Sequence, residues 1–235
     1  MDLFQDVRHN PYPGRGIVLG LAEDGGHAVV AYFIMGRSVN SRNRVFIEKD
    51  GGITTGAFDP AKLADPSLII YTPVRVCAGG VTIVTNGDQT DTVAQYLKRG
   101  KSFEEALRTR TFEPDAPHYT PRISGMLEAE GGRMRYKLAI LKTCGGDPDT
   151  PQRHFFEYPA PRTGTGHFLH TYATDGDPLP SYSGEPKRVA VTGDLETFST
   201  TLWESLNADN RVSLFVRFVD LNTGKSQTRI LNRHQ

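Results

Sequence analysis

A chain of 235 residues is long enough for one large domain or two small ones and can bury a sizeable core. Lysine plus arginine (27) balances aspartate plus glutamate (27), which excludes a global field that would draw the chain onto nucleic acid or an anionic membrane. With 37% hydrophobic residues, 24 glycines and 15 prolines the composition is turn-rich, and far from a disordered or collagen-like one.

The first half reads as β-hairpins. Residues 15–21 and 27–35 are apolar, β-branched runs separated by Glu23-Asp24-Gly25-Gly26, whose glycines reach the positive φ of a tight turn. Residues 43–49 and 53–58 flank Asp50-Gly51-Gly52 in the same way, and 67–76 and 81–85 flank Ala78-Gly79-Gly80, so three hairpin pairs are expected to build a sheet. From Asp88 the period changes. Val93, Ala94 and Leu97 share a helical face, with Asp88 or Thr90 as cap and Gly100 as stop. Ser102-Phe103-Glu104-Glu105 is a capping box that opens a second helix running to about Thr109. Pro114, Pro117 and Pro121 then exclude regular helix from the loop that follows.

Residues 123–129 and 133–143 form a fourth hairpin around Gly131-Gly132, and 153–158 and 167–174 are short strands. Residues 145–151 and 175–186 are rich in Gly, Pro and Asp and read as surface loops. Asp194 caps an amphipathic helix to residue 207, with Leu195, Phe198, Leu202 and Leu206 on one stripe. Strands 212–221 and 227–231, joined at Asn222-Thr223-Gly224-Lys225, close the chain. No repeat and no linker is visible, so a single domain over 1–235 is expected, of the α+β class, with packed sheets and helices on the outer faces. Cys77 and Cys144 lack a C-x-x-C spacing and read as buried free thiols. The first ten residues carry no apolar targeting region and no run approaches the roughly 18 apolar residues of a membrane span, so the chain is expected in the cytoplasm.

The cationic residues divide into 19 arginines and 8 lysines, and arginine's planar fork suits phosphate and carboxylate recognition. The densest polar segment is Gly36-Arg37-Ser38-Val39-Asn40-Ser41-Arg42-Asn43-Arg44, almost all donors, which suits the oxygens of a phosphate; a solvated basic connector is the alternative. Arg15 lies between Gly14 and Gly16, where a ligand or another backbone can approach. Asn86-Gly87-Asp88-Gln89-Thr90-Asp91 occupies a strand-to-helix junction, a place for an anion or simply a turn and a cap. The loop from Asp115 to Arg122 presents Asp115, His118, Tyr119 and Arg122 within eight residues, a mixture suited to acid–base work. His167 and His170 face opposite sides of a strand and read as structural rather than as a metal pair. No nucleophile elbow, P-loop, His-Glu-x-x-His or dinucleotide fingerprint is present.

Taken in order, Tyr12-Pro13-Gly14-Arg15-Gly16, the stretch from Tyr32 through Gly36-Arg37-Ser38 and Ser41-Arg42-Asn43-Arg44, Tyr71-Thr72-Pro73-Val74-Arg75-Val76, Val84 to Asp91, and Tyr119-Thr120-Pro121-Arg122-Ile123 resemble the stand-alone, archaeal-type IMP cyclohydrolase family over roughly residues 10 to 145. The resemblance implies a four-layer αββα sandwich of mainly antiparallel sheets, like that of the N-terminal-nucleophile hydrolases. It implies ring closure of the formylated aminoimidazole carboxamide ribonucleotide (FAICAR) to inosine monophosphate, the last step of purine synthesis, with no metal, nucleotide cofactor or covalent nucleophile. Arg15, Arg37, Ser38, Ser41, Arg42, Asn43 and Arg44 would anchor the ribose-phosphate and carboxamide, with Asn86, Gly87 and Arg122 also on the substrate. Tyr71 and Arg75 would donate to the developing oxyanion, and Asp88 or the loop carrying Asp115, His118 and Tyr119 would move the proton. Because Pro117-His118 precedes Tyr119, where family members carry an acidic residue, Asp115 or His118 would serve as general base. The partner expected is a small purine-pathway ribonucleotide, with neither nucleic acid nor membrane, and association into a homo-oligomer stays open.

Two other readings compete. A non-catalytic purine-nucleotide-binding module would keep the anchors without turnover. An amidohydrolase with an N-terminal nucleophile needs Ser, Thr or Cys at the mature start, whereas Met1-Asp2 opens this sequence and Ser38 is its first such residue.

Overall fold

The computed structural model describes residues 1–63, 66 and 69–234. Helix α1 (Leu3–His9) precedes the hairpin β1 (Arg15–Leu21) and β2 (His27–Met35). A single turn, α2 (Val39–Arg42), leads to β3 (Arg44–Lys49), β4 (Gly52–Ala57), β5 (Val74–Cys77) and β6 (Val81–Thr85). Helices α3 (Gln89–Lys98) and α4 (Phe103–Arg108) follow, then β7 (Arg122–Glu130), β8 (Arg133–Cys144) and β9 (Asp147–Tyr158). The chain ends through β10 (Thr165–His170), β11 (Lys187–Ala190), α5 (Leu195–Ser205), β12 (Arg211–Asp220) and β13 (Ser226–Asn232).

The strands form two mainly antiparallel sheets, one of six strands in the order β11-β10-β1-β2-β12-β13 and one of seven in the order β3 to β9. The expectation that the first three hairpins share a sheet is therefore corrected. The first hairpin, apolar on both faces, must be covered on both. It lies at the centre of the six-stranded sheet, flanked by β10 and β12, which arrive late in the chain. Alternation along β2 shows why: Ala28, Val30, Tyr32 and Ile34 enter the core shared with the seven-stranded sheet, while Val29, Ala31, Phe33 and Met35 pack toward α1 and α5. On the far side, α3 and α4 cover Ile83, Met126, Ala139 and Leu141 of the seven-stranded sheet.

Other expectations change in detail. Residues 145–151 are a tight turn at Gly145-Gly146, with φ of 63° and 90°, followed by strand, not a loop. Pro148 and Pro151 are tolerated because β9 is the sheet edge. The strand expected over 67–76 is ordered as β5 only from Val74, and residues 67 and 68 lie outside the described ones. Asp88 precedes α3 without a side-chain capping bond because its carboxylate is engaged by Arg110 and Arg122. The two cysteines are free but not buried: Cys77 is partly exposed on the outer face and Cys144 is exposed where the β8–β9 hairpin ends. Helix α1, capped by Asp2, and the short β11 had no clear sequence signal. Among the described residues no helix is long and apolar enough to cross a membrane.

The capping box at α4 forms as read: Glu105 N–H donates to Ser102 Oγ at 3.1 Å and Ser102 N–H to Glu105 Oε2 at 2.7 Å. A six-residue helix depends heavily on such a cap. Ser102→Ala is expected to lower unfolding stability by about 1 kcal/mol, read as a shifted urea midpoint with an unchanged slope.

Candidate active site

Strand alternation gathers the polar residues. Ile17 and Leu19 of β1 and Phe46 of β3 belong to the inter-sheet core, so Arg15 and Arg44, each two positions from one of them, point into the same space. Tyr32 of β2 lies there too. Tyr71, just before β5, closes the group: its hydroxyl is 2.8 Å from that of Tyr32, and its backbone is held by Thr55, whose Oγ1 accepts Tyr71 N–H at 2.8 Å. Arg44 is fully buried. Its Nε donates to Ser41 O at 2.8 Å and its Nη2 to Met35 O at 3.3 Å, while Nη1 has no acceptor among the described residues. Arg15 Nη2 lies 3.9 Å from the buried Glu113 carboxylate, and its Nε also lacks an acceptor.

The electrostatics of this group are unusual. Burial pushes the Glu113 carboxyl up to about 7, despite the opposing pull of Arg15 and Arg122, so it is poised to exchange a proton near neutrality. For Arg15 burial disfavours the cation, but the Glu113 carboxylate and neighbouring phenols prevail and hold it firmly charged. Burial, and then repulsion by Arg15, lower Arg44 below the usual guanidinium range. Burial, and then Tyr71, raise the Tyr32 phenol. A fully buried guanidinium, Arg44, and a largely covered one, Arg15, beside one half-titrated carboxyl leave unsatisfied donors and excess positive charge, which an anion relieves.

A polar frame surrounds the group. Asn86 Nδ2 donates to Pro121 O at 2.9 Å and lies 3.4 Å from Glu113 Oε1, while its Oδ1 takes Ile123 N–H at 2.8 Å. Arg122 Nη1 reaches Gln89 Oε1 and Asp88 Oδ1, both at 2.8 Å. Gly87 permits that approach, since a Cβ there would stand 2.4 Å from Arg122 Nη1. Burial works against the Asp88 charge, but the Arg110 hydrogen bond and the Arg122 charge outweigh it and lower the carboxyl below its usual range. Asp115 accepts Thr120 N–H at 2.6 Å and the Thr120 hydroxyl. Tyr12 and Tyr172 stack beside Arg15 with centroids 5.9 Å apart, and Arg37 lies over Tyr12 at 5.1 Å.

Other expected site residues are placed elsewhere or already occupied. Arg75 points to the outer face, because its neighbour Val74 takes the inward position, and it pairs with Asp91 of α3 at 2.6 Å. It is not beside Tyr71. Ser38 and Ser41 cap α2 reciprocally. Arg42 ties Gly36 O to Asn210 Oδ1, at 2.9 and 3.0 Å. Asn43 exchanges two bonds of 2.7 Å with the Asp59 backbone. Arg37 holds Asp175 Oδ1 at 2.6 Å on the rim. His118 Nδ1 accepts Leu179 N–H at 3.2 Å, and Tyr119, at a φ of 43°, packs edge-on against Phe112. His167 bonds Tyr136 at 2.7 Å in the inter-sheet space while His170 packs outward on Phe168, so neither is near the cluster.

Sequence reasoning missed Glu113, Tyr32 and Tyr172 as site residues. Glu113, wedged between Phe112 and Pro114 in a proline-rich loop, carried no motif, and nothing local foretold its burial. A surface recess of about 790 Å³ lies away from this group, between β5, β6 and α3. Its lining is mostly apolar, with no buried charge, so the chemistry favours the inter-sheet cluster. Among the described residues no three His, Cys, Asp or Glu side chains converge as a metal site.

Comparison with known proteins identifies relatives of the chain. The chain is 28% identical over 191 residues to a protein of Methanopyrus kandleri named IMP cyclohydrolase, covering 79% of this chain and 83% of that one. Proteins of the same name from Natronomonas pharaonis and Methanococcus maripaludis are 32% and 33% identical over 118 and 132 residues, or 48% and 53% of this chain. Those two matches span 60% and 62% of the relatives' own length. The model of the family described as IMP cyclohydrolase-like protein matches residues 12–225, an interval that contains Arg15, Tyr32, Arg44, Tyr71, Glu113 and Tyr172. On that match the chain belongs to the IMP cyclohydrolase-like protein family.

Proposed function

We infer that the chain is an IMP cyclohydrolase, closing FAICAR to inosine monophosphate with release of water. The observation that carries this reading is a buried Glu113 carboxyl, raised to about 7, facing Arg15 at 3.9 Å with the fully buried Arg44 in the same group, inside a chain of this family. The substrate holds both reacting groups, so the site gains most by fixing the carboxamide nitrogen against the formyl carbon. A C–N bond forms as Glu113 takes the proton from that nitrogen. The formyl oxygen becomes an oxyanion facing the Arg15 and Arg44 donors and the Tyr71 hydroxyl. The oxyanion takes the proton held by Glu113 to become a hydroxyl. The C–O bond then breaks as the former formamide nitrogen gives up its own proton and forms the ring C=N bond, and hydroxyl and proton leave as water, so no external acid, base or oxidant is consumed. Arg37, at the rim, and Arg122, on the frame, would meet the ribose-phosphate in exchange for their carboxylate partners Asp175 and Asp88.

The finer fold and domain readings are part of the same proposal. A core between the sheets, with α1 and α5 against one and α3 and α4 against the other, supports an αββα sandwich resembling the N-terminal-nucleophile hydrolases. The six-stranded sheet takes strands from both ends of the chain, which supports one domain.

Following purified protein with FAICAR spectrophotometrically is expected to show turnover above the spontaneous background. Tyr71→Phe is expected to lose about tenfold or more in kcat, while Arg75→Ala, on the outer face, stays within about twofold of wild type. Product binding with no turnover would move the assignment to a binding module, and equal losses in both variants would remove Tyr71 from the site.

A further inference from the structure

Thr120 stands at the middle of a hydrogen-bond chain whose direction can be deduced. Its hydroxyl contacts both Asp115 Oδ2 and, at 2.5 Å, the Tyr172 hydroxyl. A threonine hydroxyl has one hydrogen to give. The Asp115 carboxylate, which takes Thr120 N–H on its other oxygen, only accepts. Thr120 therefore donates to Asp115, and Tyr172 donates to Thr120. The phenol hydrogen is committed away from the cluster, so the remaining lone pair of Tyr172 is available only as an acceptor.

The same residues hold the acid–base pair. Glu113 N–H donates to Thr120 O at 2.9 Å, and Arg15 N–H donates to Thr171 Oγ1 at 3.1 Å, one residue before Tyr172. The Tyr172 ring lies against Gly14, where a Cβ would stand 2.5 Å from ring Cδ2, so the phenol is seated directly beside the start of β1 and Arg15. Thr120 and Tyr172 are almost fully buried, and no side chain of the cyclisation steps above uses them.

We propose that Thr120 is a positioning residue that orients the Tyr172 phenol as a fixed acceptor for an N–H of the bound carboxamide ribonucleotide while anchoring Glu113 beside Arg15. An acceptor there holds the nitrogen with its other hydrogen toward Glu113, and it disfavours a carboxylate in place of the carboxamide, since two acceptors would then meet. This rests on the cyclisation reading.

The test compares wild type with Thr120→Val, Thr120→Ser, Tyr172→Phe and the Val/Phe double variant, measuring kcat and KM on FAICAR together with thermal melting. Thr120→Val and Tyr172→Phe are each expected to lose about tenfold or more in kcat, Thr120→Ser to recover most of it, and the double variant to be no worse than the poorer single, because both cut one chain. Multiplicative losses in the double variant, or a Thr120→Val enzyme with wild-type kcat, overturn the proposal while leaving cyclisation intact. If Thr120→Val fails to fold, Tyr172→Phe with wild-type kcat overturns it alone. A wild type that neither turns over FAICAR nor binds inosine monophosphate would instead overturn the cyclisation reading, and this inference with it.

Discussion

Glu113→Gln is expected to reduce kcat by about 10²–10³-fold and to erase the inflection near pH 7 from the kcat/KM profile of the wild type. Glutamine keeps the shape of the side chain and can still meet Asn86, so what is lost is the exchangeable proton. The variant also carries a signature in stability. Because burial raises the folded carboxyl from 4.5 to about 7, the folded state binds more protons than the unfolded chain between those values. Unfolding free energy therefore falls as pH rises through that window, by about 3 kcal/mol in all. Glutamine does not titrate. At pH 5, with Glu113 protonated, wild type and variant carry the same charge at this position; by pH 8 the variant is expected to have gained in melting temperature relative to wild type. An identical difference at both pH values, or a wild-type profile without the inflection, would remove Glu113 as the titrating group.

Arg44→Met separates function from stability in the opposite sense. Among the described residues Arg44 is buried without an ion-pair partner, close enough to Arg15 for repulsion to lower it, and its Nη1 has no acceptor. Replacing an uncompensated buried charge by an apolar side chain of similar length is often neutral or stabilising, and here it offsets the lost bonds to Ser41 O and Met35 O. Losing a preorganised donor at the oxyanion costs about 10²–10³-fold in turnover. The expected result is an enzyme that melts no lower than wild type without ligand but shows kcat/KM reduced by that factor. Its melting temperature should also fail to rise on adding inosine monophosphate. Equal destabilisation and loss of activity would mark Arg44 as a structural residue.

The opening hairpin was legible because its signals are local: apolar runs of strand length bounded by paired glycines define 15–21 and 27–35, and the structure returns β1 and β2 with those ends. The capping box at Ser102 and the stripe after Asp194 were equally direct. Arg15, Arg44 and Tyr71 stood in short ordered motifs and do lie together. Arg75 stood in the same motif as Tyr71 and faces outward, because its strand neighbour Val74 takes the inward position. Four donors of the 36–44 segment are consumed by its own turn and by Asp59 and Asn210, a local cost that composition hides.

By itself, then, the sequence determined most of the strands and the helices α3, α4 and α5, though not α1 or β11, and which short motifs carry polar chemistry, since these follow from spacing and turn residues within about a dozen positions. Only the tertiary structure decided the partition of hairpins between two sheets, the burial of Glu113 against Arg15, and the meeting of Asp115, Thr120 and Tyr172. Each depends on residues far apart in the chain being desolvated together, and it is that shared loss of water, absent from any local pattern, that raises Glu113 and leaves Arg44 with a donor to spare.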